Sequence, residues 1–161
     1  MLCRLLYVSR ISDAAAANLP HAMEEILVVS ARRNTPDAVT GLLLADGASF
    51  VQVLEGPDAR VIACYERILQ DQRHHDIRLR SLASIDERSF PRWSMCGLTL
   101  SDLEDKLLAA SDIAFELREA DPGALLQHLE GLAARHARQL DAAHAKLVAA
   151  SSSSGRASPT V

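Results

Sequence analysis

The sequence has little net charge, no clustering of basic residues and no long apolar run. Its 161 residues carry a net charge of −4, and Lys and Arg form no basic stripe, so we expect no nucleic-acid partner. No stretch approaches the roughly 20 apolar residues of a membrane span. The apolar start, MLCRLLYVSR, is too short for a signal peptide. We therefore expect a globular cytoplasmic protein that does not act at a membrane.

Metal-binding and catalytic motifs are also missing from the sequence. Cys3, Cys64 and Cys96 have no metal-ligand spacing, and their odd number favours reduced thiols. The adjacent histidines of RHHD point in different directions, which argues against a metal site there. There is no Ser-His-Asp set, P-loop or dinucleotide glycine fingerprint. We therefore expect neither an enzyme nor a metalloprotein.

The patterns that are present predict an α+β domain. Strands are predicted at 2–9, 38–45, 49–55, 77–85 and 93–100, helices at 20–34 and 59–71, and a loop at 11–20. The order β-α-β-β-α-β-β favours a ferredoxin-like, five-stranded mixed sheet. Right-handed crossovers place both helices on one face of that sheet.

One polar residue stands out in the strand SFVQVLE. Period-two alternation puts Gln52 on a face that is otherwise apolar, and a buried unpaired amide costs about 1–3 kcal/mol. Tyr7 on a neighbouring strand points the same way, as do Ser30 and Asn34 on the inner side of the first helix. A few polar groups in an apolar pocket are typical of a cofactor site. This set could bind the polar edge of a flat heterocycle.

Each of these residues taken singly also has an ordinary structural explanation. A buried Tyr or Gln in a sheet is usually a satisfied core residue, and Ser30 could simply bond to the preceding helical turn. Trp93 and Met95 alternate on the last predicted strand in a way that core packing explains. Arg73, followed by His74, stands after a helix end, where cations suit the helix dipole. The individual residues therefore leave the ligand site open.

Taken together, the motifs resemble the BLUF family, the flavin-binding blue-light sensors. The segments YVSR, SARRNTPDAVTGLLLADGASFVQVLEG, YERILQDQRHHD and RSFPRWSM occur in the family's order and spacing over about residues 2–100. The resemblance is specific because N-x5-TGLLL, F-x-Q-x-LEG and W-x-M agree at once. It implies the fold predicted above, with the isoalloxazine ring of FAD held between the two helices and over the sheet.

The resemblance also implies roles for individual residues. The matching cofactor-binding positions are Tyr7, Ser30, Arg32, Asn34, Gln52, Arg73 and His74. By this likeness the phenol of Tyr7 donates an electron, and the Gln52 amide responds by rotating or tautomerising. Trp93 and Met95 match the pair that carries the signal outward. Whether Trp93 or Met95 faces the flavin is left open.

Beyond the flavin-binding domain, predicted as 1–100, the sequence predicts a helical extension at 101–150 and a disordered tail at 151–161. Ser101 and Glu104 form a capping box, and a long helix is predicted to follow Asp121-Pro122. Its heptad positions are Leu126, Ala133, Leu140 and Leu147, with Leu129, His136 and Ala143 between them. They could pack on the sheet face opposite the flavin, which we favour, or form a dimer interface.

With no room for an output domain, the chain resembles a stand-alone short BLUF protein that signals to an effector protein, and we expect a homodimer or higher homo-oligomer. A ferredoxin-like regulatory module that binds a colourless metabolite is the main rival. An acylphosphatase-type enzyme would need a glycine-rich phosphate loop that is absent here. A flavin-free dimerising scaffold is the third alternative.

Overall fold

The structure is a computed structural model that describes residues 1–99 and 118–153. Its elements are β1 (Leu2–Ile11), α1 (Asp13–Ala17), α2 (Leu19–Asn34), β2 (Thr40–Ala45), β3 (Ser49–Pro57), α3 (Asp58–Leu69), β4 (His74–Ile85), β5 (Cys96–Thr99), α4 (Pro122–Arg135) and α5 (Ala137–Ser153). The predicted capping box and the tail beyond residue 153 lie outside the described residues.

The five strands form one mixed sheet, which confirms the predicted fold class. The strand order is β4-β1-β3-β2-β5, with antiparallel neighbours except for the parallel pair β2 and β5. The central strand β3 is buried along its whole length up to Gly56. A strand covered on both faces needs apolar residues at successive positions, and SFVQVLEG supplies them apart from Gln52, Glu55 and its terminal residues.

Each face of the sheet has its own apolar cluster. The face covered by α2 and α3, here called the cavity face, carries Cys3, Leu5, Tyr7, Leu43, Phe50 and Leu54. The other face, here called the opposite face, carries Leu6, Val8, Leu42, Leu44, Val51 and Val53, and packs against α4 and α5. The alternation predicted for β1 and β3 is therefore confirmed. α4 packs on the sheet, as favoured from the sequence, whereas α5 contacts both β5 and α2.

Three predicted boundaries near the site are wrong. The predicted loop at 11–20 contains α1, which is capped by the Ser12 side chain accepting a hydrogen bond from the Ala15 N–H. β4 begins at His74, because pairing with β1 extends over the polar RHHD segment. β5 begins only at Cys96, because the sheet pairing of the last strand starts there. Trp93 and Met95 thus precede the strand on which they were predicted.

The single long helix predicted after Asp121 is also wrong. His136, at φ −108° and ψ 18°, leaves helical geometry and separates α4 from α5. The buried residues of the two helices are Leu125, Leu129, Leu132, Ala133 and Leu140, so the heptad was correct only in part. Leu125 and Leu132 were missed. α5 runs to Ser153, into the start of the predicted tail.

A buried carboxylate fixes the loop that leads into β5. Glu55 of β3 is fully buried and is paired through Oε2 with the Arg4 Nε at 2.8 Å. Its oxygens accept hydrogen bonds from the backbone N–H groups of Ser89, at 2.9 Å, and Phe90, at 2.6 Å. Charge-assisted hydrogen bonds of this kind are strong ones. They hold the chain next to the sheet just before Trp93.

Candidate ligand site

A cavity of about 250 Å³ lies between α2, α3 and the sheet. Its floor is formed by Tyr7, Leu43, Phe50 and Gln52. Its walls are formed by Ile26, Val29, Ser30, Arg33 and Asn34 of α2, by Cys64, Arg67 and Ile68 of α3, and by Asp71, Arg73 and His74. A mostly apolar interior with converging polar groups is typical of small-molecule sites.

Tyr7 and Gln52 meet on the floor of this cavity. They are direct cross-strand partners on β1 and β3, and each is 3% exposed. The Tyr7 hydroxyl donates a hydrogen bond to Gln52 Oε1. The Gln52 amide nitrogen in turn donates to the Met95 sulfur at 3.2 Å. The buried amide is therefore held by a phenol on one side and a thioether on the other.

The phenol of Tyr7 is kept neutral by its surroundings. Burial, with smaller contributions from Cys64, Tyr65 and Asp71, raises its pKa well above the usual value. Its ring lies beside those of Tyr65, with centroids 5.5 Å apart, and His74, at 6.1 Å. A neutral phenol whose proton already bonds to an acceptor can lose an electron and that proton together.

Asn34 connects the cavity to the chain that precedes β5. It is the last residue of α2 and is buried. Its amide nitrogen donates to the Ser94 carbonyl at 2.9 Å, and its Oδ1 accepts from the Cys64 thiol at 3.6 Å. Burial raises the pKa of that thiol, so Cys64 is a neutral donor. The amide nitrogen carries a second hydrogen that can serve a ligand.

Three arginines, Arg33, Arg67 and Arg73, line the cavity. Arg73 pairs with Asp71, Nη2 to Oδ2 at 2.7 Å, and with Glu25 at 3.4 Å. Burial raises the pKa of Asp71, but the hydrogen bonds and charge of Arg73 outweigh it and leave that pKa below its usual value. The cavity thus combines three cations with one carboxylate that is already paired.

His74 braces the floor of the cavity. Its Nδ1 lies 2.8 Å from the Ser9 hydroxyl and its Nε2 2.8 Å from the Ile68 carbonyl oxygen. A carbonyl oxygen only accepts, so Nε2 carries a hydrogen. With both ring nitrogens engaged, His74 presents its ring edge to Tyr7 and Phe50 and not a free polar atom.

Six of the seven predicted cofactor-binding residues line the cavity. These are Tyr7, Ser30, Asn34, Gln52, Arg73 and His74. Arg32 does not; it is exposed, and its neighbour Arg33 lines the cavity instead. Sequence reasoning also missed Cys64, Ile68 and Asp71. Their i, i+4, i+7 spacing places them on one side of α3 and its end, and that pattern could have revealed them.

The predicted signalling pair is divided between the two faces. Met95 is fully buried beside Gln52 on the cavity face. Trp93 packs on the opposite face, where its indole N–H donates to Asp141 Oδ1 of α5 at 3.0 Å. The segment between them therefore touches both sides of the sheet.

In the described ranges 1–99 and 118–153, no three His, Cys, Asp or Glu side chains are grouped as metal ligands. A search of the same residues found no helix with the length and apolar character needed to cross a bilayer.

The fold and cavity define a class: a ferredoxin-like α+β domain with a cavity between its two helices and its sheet. Residues 2–96 match the family described as BLUF, sensors of blue-light using FAD, and the chain belongs to that family. The chain is 42% identical over 103 residues to the blue light- and temperature-regulated antirepressor BluF of Escherichia coli (strain K12). That match covers 64% of this chain and 24% of BluF, so the chain spans about a quarter of that relative.

Two solved structures show the same architecture over longer ranges. BlsA in its photo-activated state is 29% identical with a TM-score of 0.72, covering 82% of this chain and 94% of BlsA. BlrB, a BLUF protein in its dark state, is 30% identical with a TM-score of 0.57, covering 93% of this chain and 96% of BlrB. These likenesses include residues beyond the matched BLUF range.

Proposed function

We propose that this chain is a blue-light photoreceptor that binds FAD, with the flat ring system in the cavity. The cavity, at about 250 Å³, is smaller than the roughly 300–1,000 Å³ of sites that enclose a whole ligand. The ring alone suits its apolar walls, and the amides of Asn34 and Gln52 each retain an N–H for a carbonyl edge. Arg33, Arg67 and Arg73 suit a phosphate-bearing chain outside.

The hydrogen-bonded set Tyr7–Gln52–Met95 is the observation that carries this proposal. When bound, an FAD excited by blue light supplies a strong one-electron oxidant. The Tyr7 phenol is the donor, because its buried proton can move to Gln52 Oε1 as the electron leaves. Burial keeps the phenol neutral, so the electron leaves a phenol and not a phenolate, and the proton leaves with it or after it.

The electron and the proton then return to Tyr7, so no net oxidation remains, and the Gln52 amide is left in a rearranged hydrogen-bonded state. A primary amide has a donor and an acceptor end of nearly equal shape, so rotation or tautomerisation reverses its hydrogen-bond sense without repacking. Reversal of the amide changes both of its protein contacts. The amide nitrogen gives up the sulfur of Met95, a weak acceptor, and the end that faces Tyr7 changes from acceptor to donor, so the Tyr7 hydroxyl then accepts. Arg32, which lies outside the cavity, keeps only a proposed role near the outer part of FAD.

The signal leaves through the segment that joins Trp93 to Cys96. Met95 contacts Gln52, whereas Trp93 and Cys96 contact Asp141 and the Leu140 carbonyl of α5. A change in the contact between Gln52 and Met95 can therefore reach α5 through the neighbouring residues Trp93 and Cys96.

We assign residues 1–100 to light sensing and 101–150 to output toward a partner protein. The name of the Escherichia coli relative, an antirepressor, supports a protein partner. The homo-oligomer stays a prediction.

The test is the visible absorption of the purified protein in the dark, after blue light and during recovery. We expect a flavin spectrum with a small, reversible red shift. Gln52→Leu and Tyr7→Phe should both bind flavin and lose the shift. Tyr65→Phe is the matched control, because this ring touches Tyr7 outside the hydrogen-bonded set; it should keep the shift.

Two results would contradict the proposal. A normal shift in Gln52→Leu would remove the amide from the switch. Failure to bind FAD even after reconstitution would favour the module that binds a colourless metabolite, or the scaffold.

A further inference from the structure

Ser94 is hydrogen-bonded to the cavity and to α5 at once. Its carbonyl accepts from the Asn34 amide at 2.9 Å. Its backbone N–H donates to His144 Nε2 of α5 at 3.2 Å, and its hydroxyl oxygen lies 2.9 Å from that same nitrogen. One residue therefore links a wall of the cavity to the C-terminal helix, separately from the Gln52–Met95 contact.

The contact fixes the protonation state of the imidazole. A nitrogen that accepts from a backbone N–H must present a lone pair, so Nε2 carries no hydrogen and Nδ1 does. A protonated ring would instead donate from Nε2 to the Ser94 hydroxyl. The Ser94 N–H would then lose its acceptor. The His144–Ser94 pair thus has two alternative hydrogen-bonded arrangements, selected by one proton.

We propose that neutral His144 is a positioning residue for the light signal, holding Ser94 and through it the Asn34 amide that lines the cavity. Protonation of His144 weakens the link between the cavity and α5. This inference rests on the proposed function and adds a point of regulation to it. Coupling between two sites is reciprocal at equilibrium, so the arrangement of the cavity must in turn affect the proton affinity of His144.

The charges around the ring favour its neutral form. Burial lowers the pKa of His144, and Asp141, one turn earlier on α5, opposes that shift. Asp141 is itself paired with Arg92. In the described part of the chain, α2, α4 and α5 carry further charged side chains that neither line the cavity nor form ion pairs. All of these are exposed: Glu24, Arg32, Glu130, Arg135, Arg138 and Lys146.

The experiment follows the rate of dark recovery between about pH 8 and pH 5, which spans the usual titration range of histidine. In the wild type we expect the rate to change several-fold over this range. His144→Gln should flatten the profile, because its amide oxygen can accept from the Ser94 N–H but does not titrate. His21→Gln, which alters an exposed histidine paired with Glu25, should keep the wild-type profile.

A second readout needs no light. Nitrogen NMR of the histidine rings in the dark protein, with the His144 signal assigned by its loss in His144→Gln, should show Nδ1–H at pH 8. A hydrogen on Nε2 at that pH would overturn the proposal, as would identical pH profiles in wild type and His144→Gln. If the flavin shift is absent from the wild type, the proposed function fails; if the shift is normal and its recovery ignores His144, only this inference fails.

Discussion

The two faces of the sheet differ in how completely they are filled. On the opposite face, the middle of β1 and β3 contributes apolar side chains, the Arg4–Glu55 ion pair lies at one end, and leucines of α4 and α5 belong to the same buried cluster. On the cavity face the same strands contribute Tyr7 and Gln52, and α2 and α3 leave a cavity above these two residues. Both β1 and β3 take part in the two arrangements because their side chains alternate.

The difference separates stability from function in a single sheet. The opposite face resembles an ordinary close-packed core, in which each buried side chain contributes to the free energy of unfolding. The cavity face gives up part of that packing to keep polar groups beside a space that can hold a ligand. We therefore expect substitutions on the two faces to have distinct consequences, and the following predictions test this.

The largest effect is expected from Leu129→Ala on the opposite face. Leu129 is fully buried between α4 and the sheet, and comparable core truncations cost about 2–5 kcal/mol. Urea unfolding of the flavin-free protein measures the cost. Flavin binding and the light-induced shift should survive wherever the variant is folded.

The matched substitution on the cavity face is Ile26→Ala. Ile26 is only half-buried and already borders the cavity, so we expect a cost below about 1 kcal/mol in the same assay. Its effect should instead appear as weaker flavin binding. Equal costs for the two variants would show that the faces are energetically alike.

A pH-dependent effect is expected from Tyr7 under alkaline conditions. Its pKa is raised in the folded protein, mainly by burial, so above about pH 10 the unfolded chain releases this proton while the folded chain retains it. The contribution of Tyr7 to the free energy of unfolding is fully present below the pKa of the unfolded chain, and it is lost as the pH rises above that value. Tyr7→Phe should reduce the fall in stability by about 1.4 kcal/mol per pH unit.

Wild type and Tyr7→Phe contain the same cysteines, so the titration of these thiols at high pH affects both proteins. For example, burial raises the pKa of Cys96 to about 11. The measurement is urea unfolding at a series of alkaline pH values. Identical slopes for wild type and Tyr7→Phe would mean that Tyr7 ionises as readily in the folded protein as in the unfolded chain.

A small effect, confined to stability, is expected from Asp121→Ala at the start of α4. The Asp121 carboxylate accepts hydrogen bonds from the N–H groups of Gly123, at 3.0 Å, and Ala124, at 3.2 Å. Loss of such a cap costs about 1 kcal/mol. Thermal unfolding should show this loss, with an unchanged flavin spectrum. A spectral change would mean that the end of α4 acts on the cavity.

The sequence predicted side-chain positions best where residues repeat with the short period of a strand or a helix. Alternation in β1 and β3 is enough to place Tyr7 and Gln52 on the same face, because a strand has only two sides. The spacing of Ile26, Ser30 and Asn34 likewise indicates the inner side of α2. These residues line the cavity as predicted.

Choices that depend on tertiary contacts could not be made from the sequence. Arg32 and Arg33 are adjacent residues of the same type, and only the rotation of α2 decides which one lines the cavity; the role of Arg32 near FAD stays a prediction. Leu125 and Leu126 pose the same problem on α4. Trp93 and Met95 can lie on different faces only if the backbone before β5 is irregular, and no residue pattern in the sequence predicts that irregularity. The break at His136 likewise carries no proline or glycine.

The position of β5 has a consequence for how the domain can change shape. In the described part of the chain, β5 lies at one edge of the sheet and pairs with β2. Proteins open in local units whose free energies lie below that of global unfolding. Displacement of an edge strand breaks its pairing with one neighbour, so β5 can move while the pairing of β1 with β3 is kept. The strand that follows Met95 is therefore one that can shift without disturbing the central pair of strands.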